Sequence, residues 1–165
     1  PRVHEAKSVA ANEAAGSELK PLTKAVKHWN RQLPKAERLR SFHIEIMAWD
    51  VLRSKHENRG SGLLALYRGL ATRVLTATAD PAGLGPDIDA DVGAKARLDA
   101  QRRFTAVADK IQEALSLAAE GKTEAAHYRL YQVFKDPYPE KGKAELNSRP
   151  RIVVGAAPDS GPRHG

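Results

Sequence analysis

In LTKAVKHWNRQL, residues 22–33, the apolar residues Leu22, Val26, Trp29 and Leu33 recur at spacings of four, three and four. At 3.6 residues per turn that spacing places them on one face of a helix. Lys24, Lys27 and Arg31 keep the same spacing on roughly the opposite side. The segment predicts a helix with an apolar back and a cationic front. Ser17 is a candidate cap for it, Pro21 suits its first turn, where a missing N–H matters least, and Pro34 ends it.

The helical period continues on both sides. Val3, Ala6, Val9 and Ala10 give a short helical pattern that stops near Gly16. After the charged connector KAERLR, the segment RSFHIEIMAWD (residues 40–50) opens with Ser41 as a candidate N-cap. Ile44, Met47, Ala48, Val51 and Leu52 line one face there, while Ile46 and Trp49 make a second face apolar. A helix apolar most of the way round belongs in a core. HENRGSG (56–62) reads as a polar loop, followed by an amphipathic helix carrying Leu63, Leu66, Tyr67, Leu70, Val74 and Leu75. TADPAGLGPDIDAD (78–91) is the clearest loop. A long helix is expected over 93–119, with Phe104, Val107, Ala108, Ile111, Leu115 and Ala118 inward. Gly121 ends it, and a last helix covers 123–134, with Ala126, Leu130, Val133 and Phe134 inward.

The expected fold is all-α, a bundle of five to six helices over residues 1–139, followed by a flexible basic tail over 140–165. Ile152 to Val154 is the one apolar island in that tail, too little to offset the entropy of ordering it. A chain of 165 residues suits one domain. It has no cysteine, which excludes disulfides, thiolate metal sites and a cysteine nucleophile. No apolar run approaches the ~20 residues of a membrane span, so a cytoplasmic protein with no membrane partner is expected. The only methionine is Met47 and the chain opens on Pro1, which fits either initiator removal or a piece of a longer protein.

The net charge is +7, and residues 1–60 hold twelve Lys/Arg against seven Asp/Glu, so +5 of it lies there. That balance points to an anionic partner such as a nucleotide or nucleic acid. P-loop, G-x-G-x-x-G, H-E-x-x-H and G-x-S-x-G motifs are all absent from the sequence. Asp87, Asp89 and Asp91 could in principle hold magnesium, but three aspartates in a Pro/Gly loop read as solvated groups. His28 and His43 each neighbour an aromatic and read as surface or satisfied core groups, and Glu45 and Asp50 as ion-pair partners for nearby cations. What remains is a phosphate-friendly set: the Lys27 ammonium, the Ser41 hydroxyl at a helix start, and the Phe42 ring for stacking.

LKPLTKAVKHWNRQ followed by LRSFHIEIMAWDVL resembles the C-terminal helical domain of the oligoadenylate-synthetase-like nucleotidyltransferases. That family includes cyclic GMP-AMP synthase and the bacterial cyclic-oligonucleotide synthases of anti-phage defence, the CD-NTases. LTATADPAGLGPDID resembles the family's Asp-Pro loop, and HYRLYQVFKDPYP its closing helix. The four blocks keep the family's order and spacing across residues 1–139. The resemblance implies that Lys27 contacts the triphosphate of a bound nucleoside triphosphate, and that Ser41 and Phe42 contact phosphate and stack on the base. The family aromatic is commonly tyrosine, so Phe42 keeps the stacking and loses the hydroxyl. In the family, catalysis resides in an N-terminal α/β core with a Gly-Ser turn and three carboxylates that hold two magnesium ions. Nothing of that kind is present in this sequence. The expectation is a lobe whose partner is the catalytic core of the same protein, inactive alone. The alternative is a stand-alone nucleic-acid-binding module that uses the Lys24/Lys27/Arg31 face.

Overall fold

Two of the three spacings in residues 22–33 are realised as drawn: Leu22, Val26 and Trp29 are buried on one side of a single helix, while Leu33, half-buried, is the extended residue that ends it. The computed structural model describes residues 2–135, and the tail expected over 140–165 lies outside the described residues. The helices are α1 (Arg2–Ala14), α2 (Leu19–Gln32), α3 (Ser41–Val51), α4 (Arg59–Arg73), α5 (Ala94–Ala119) and α6 (Thr123–Phe134), with a 3₁₀ turn at Lys35–Glu37. Among the described residues there is no strand, and the fold is all-α.

Aromatic side chains from four helices meet at the centre. The Trp29 ring lies 5.6 Å from Tyr67, edge to face, and 5.5 Å from Phe104. Tyr67 in turn lies 6.1 Å from Phe134. Each such side chain contributes roughly 1.5–3 kcal/mol by leaving water, so this cluster fixes α2, α4, α5 and α6 about one point. α4 runs along α5 and α5 along α6, while α3 packs on α2 and α4. Close approach of α3 to α4 depends on Gly69, where an added Cβ would sit 2.1 Å from Val51 Cγ1.

Several local expectations are corrected. Ser17 does not cap α2; it has φ 64°, and the Lys20 amide bonds instead to Asn12 Oδ1 of α1 at 3.1 Å. Ser41 is the first residue of α3, and Arg40 holds the cap position without a side-chain bond. HENRGSG is only partly loop, because Asn58 and Ser61 form a reciprocal capping box and α4 begins at Arg59. Gly60 then serves packing, since a Cβ there would meet Leu115 Cδ2 at 2.7 Å. Ala118 continues the buried α5 series Ala100, Phe104, Val107, Ile111, Ala114 but is exposed, in the last turn of α5 one residue before the helix ends.

α1 is reversed relative to its pattern. Val3 (53% exposed) and Val9 (43%) face outward with Ala6 and Ala10, and the half-buried side carries His4, Ser8, Ala11 and Asn12. Trp49, expected in the core, is half-buried on the side of α3 that faces α1.

Candidate functional site

The cationic front of α2 lines a cleft of about 420 Å³ bounded by α1, α2 and α3. Lys20, Lys24, Lys27 and Arg31 approach it from successive turns of α2, since their spacing of four, three and four keeps them on one side. Lys27 is not a free cation: its ammonium pairs with the Glu45 carboxylate of α3, and both side chains are about a quarter exposed, at 26% and 29%. Lys20, Lys24 and Arg31 are exposed, and no carboxylate among the described residues pairs with them. Thr23, only 6% exposed, also lines the cleft, and its Oγ1 is buried without a hydrogen-bond partner. Positive charge beside an unsatisfied hydroxyl suits an anion that brings several acceptor oxygens.

The aromatic part of the site is on α3. Phe42, Glu45 and Trp49 are separated by three and four residues and so share one helical face. Glu45 thereby brings Lys27 next to the face that carries Phe42. The Phe42 ring is 39% exposed and lies 4.9 Å from the His4 imidazole of α1, with 32° between the planes. The same imidazole lies 5.0 Å from the Trp49 ring. Ser41 is exposed in the first turn of α3 and does not line the cleft. Of the expected residues Lys27 alone lines the cleft, paired with Glu45; Phe42 lies one turn before Glu45 on the same face of α3, outside the lining, and Ser41 lies outside it as well. The sequence reading missed Lys20, Thr23, Trp49 and His4 as parts of this site. Lys20 continues the cationic spacing one turn back and Trp49 lies two turns after Phe42, so both had a periodic signal. His4 had none, because its role depends on which side of α1 turns inward.

Of the three aspartates read as solvated, Asp87 and Asp91 are exposed but Asp89 is not. Asp89 is buried, and its Oδ2 accepts from Arg97 Nη1 at 2.6 Å while Oδ1 accepts from the Thr78 amide at 2.8 Å. His43 Nε2, also buried, lies 3.3 Å from Asp89 Oδ2 and 3.2 Å from Thr78 Oγ1. Burial works to raise the Asp89 pKa, but the hydrogen bonds from Arg97 and Thr78 and the charges of His43 and Arg97 outweigh it and hold the carboxyl below its usual value. For His43, burial lowers the pKa, Asp89 opposes that, and Arg97 and Arg73 add to it. Asp91 pairs with Arg40 at 2.6 Å. With Asp89 and Asp91 so engaged, the loop does not fit a magnesium site, and among the described residues no group of three His, Cys, Asp or Glu could hold a metal ion. The loop instead locks the α3 start against α5. His43 is the satisfied core group expected, and Asp50 pairs with Arg73 at 3.0 Å. His28 Nε2 lies 3.0 Å from the Phe134 carbonyl at the end of α6.

Comparison of the chain with protein-family models gave no match, and comparison with curated proteins gave none.

Proposed function

We propose that this chain is the helical lobe of a CD-NTase-like nucleotidyltransferase and forms one wall of its nucleotide cleft. The observation that carries this reading is the meeting of four cations and an unpartnered threonine hydroxyl with Glu45 and Trp49 of α3, on the helical face that also carries the exposed Phe42 ring one turn earlier. A nucleoside triphosphate asks for that combination: oligophosphate on the lysines, a base stacked on a ring. Arriving phosphate draws the Lys27 ammonium from Glu45, and Lys24 and Arg31 supply charge that no described carboxylate has taken up. Ser41, exposed in the first turn of α3 and outside the cleft lining, would contact only phosphate that extends beyond the cleft. The complete enzyme would join nucleoside triphosphates into cyclic or linear oligonucleotide signals of the anti-phage type and release pyrophosphate. Its magnesium would be held by the catalytic core that the resemblance implies.

A second reading has its own support. Lys20 to Arg31 spans eleven residues, about 16 Å of helix at 1.5 Å per residue. That is long enough to follow the backbone of a single-stranded nucleic acid. Binding dominated by such a backbone would weaken steeply with salt, whatever the base sequence.

Fusion of the chain behind the catalytic core of a related CD-NTase tests the first reading. Labelled ATP and GTP with magnesium should give oligonucleotide product from the fusion and none from the chain alone. Lys27→Ala and Phe42→Ala should each lower the yield. Product from the chain alone, or full activity of both variants in the fusion, would contradict it.

A further inference from the structure

We propose that α1 is a displaceable cover on the cleft, and that the His4 imidazole holds the place of the planar heteroaromatic ring of the ligand. The proposal rests on the nucleotide reading above and adds its regulation. A flat nitrogen heterocycle already occupies the ring surface of α3, 4.9 Å from Phe42 and 5.0 Å from Trp49. It fits poorly in one respect: His4 Nε2 is buried and has no hydrogen-bond partner. A ring nitrogen removed from water without a partner weighs against the closed state. A nucleobase stacked on Phe42 would need the same surface, so base and His4 exclude each other.

The rest of α1 is built to leave. It presents its polar residues His4, Ser8 and Asn12 to the protein and its apolar Val3, Ala6, Val9 and Ala10 to solvent, a conflict between local pattern and packing. Besides the ring contacts and the small Ala11 side chain packed on the core, its holds are polar: Lys7 Nζ donates to the Pro81 carbonyl at 2.5 Å, and Asn12 Oδ1 accepts from the Lys20 amide. Behind it the chain turns through Gly16 (φ 63°) and Ser17 (φ 64°), a tight corner that gives α1 a pivot. Ser8 borders the same cleft as the lysines, so movement of α1 about that corner also opens the phosphate side. A site competent only when the cover is open binds more weakly by the fraction of time it is open.

The test is titration of ATP into the full chain and into the full-length variants His4→Ala and Lys7→Ala, with amide hydrogen exchange of residues 3–14 followed in the wild type. His4→Ala removes two ring contacts, each a factor of several in an equilibrium, so the apparent affinity for ATP should rise about fivefold. Lys7→Ala should act in the same direction and by less. ATP should accelerate exchange along α1, the reverse of the usual protection by a ligand. ATP binding that is equal in all three chains, or that slows exchange in α1, would overturn the cover and leave the site standing. Failure of all three chains to bind ATP would overturn the nucleotide reading itself and the cover with it.

Discussion

Lys27 shares its charge with Glu45, and that pairing sets what each can do. Both side chains keep about a quarter of their exposure, so the pair is screened, and Lys27→Ala should cost no more than about 1 kcal/mol of stability. Glu45→Gln should instead strengthen anion binding, since it leaves the Lys27 charge uncompensated; a weaker affinity for ATP in that variant would argue that Glu45 itself holds the ligand. Tyr67 poses a different question. Its hydroxyl is buried at the centre of the core without a hydrogen-bond partner, so Tyr67→Phe should leave the thermal midpoint unchanged or raise it. His43 and Asp89 make stability depend on pH. The His43 pKa lies below its ordinary 6.5, so the unfolded chain takes up the proton first as pH falls. Its contribution is complete above pH 6.5 and declines below it, and Asp89, held below its ordinary 3.8, adds a further loss in stronger acid. The thermal midpoint should fall between pH 7.5 and 5.5, and His43→Gln should flatten that fall while lowering the midpoint at pH 7.5.

At the level of elements, periodicity carried most of what was legible. α2, α5 and α6 match their apolar spacings because each buries one stripe against neighbours on one side. α3 was harder. A helix apolar on two faces does not reveal which face is covered, and here one face packs on α2 and α4 while Phe42 and Trp49 look toward α1. Trp29→Ala should therefore cost ~3–5 kcal/mol, and Trp49→Ala clearly less, where the sequence reading placed both in the core. The start of α4 was hidden for another reason: glycine reads as loop, yet Gly60 and Gly69 are where helices touch. Gly69→Ala puts a methyl group 2.1 Å from Val51 Cγ1, and should destabilise by about 1–3 kcal/mol despite the better helix propensity of alanine. A raised midpoint in that variant would show that α3 is free to shift.

Over the whole molecule, the all-α fold was readable from period alone, and the excess of positive charge in residues 1–60 pointed to the cationic side. The candidate cleft was legible only in part. Lys27 and Phe42 stood out by residue type, but the cleft exists because α1 folds back over α2 and α3 with its polar side inward, against its own pattern. Asp89 likewise looked solvated because its partners Arg97 and His43 come from outside the loop and Thr78 from the loop's far end. In the proposed function the α2 cations and the α3 ring surface hold a nucleoside triphosphate. Equilibrium titration of ATP into the wild-type chain and the Lys27→Ala variant tests it most directly. Saturable binding at one site is expected, weakened at least tenfold by the substitution, as loss of a charge-assisted phosphate contact requires. Equal affinity in the two chains, or no saturable binding in either, would contradict it.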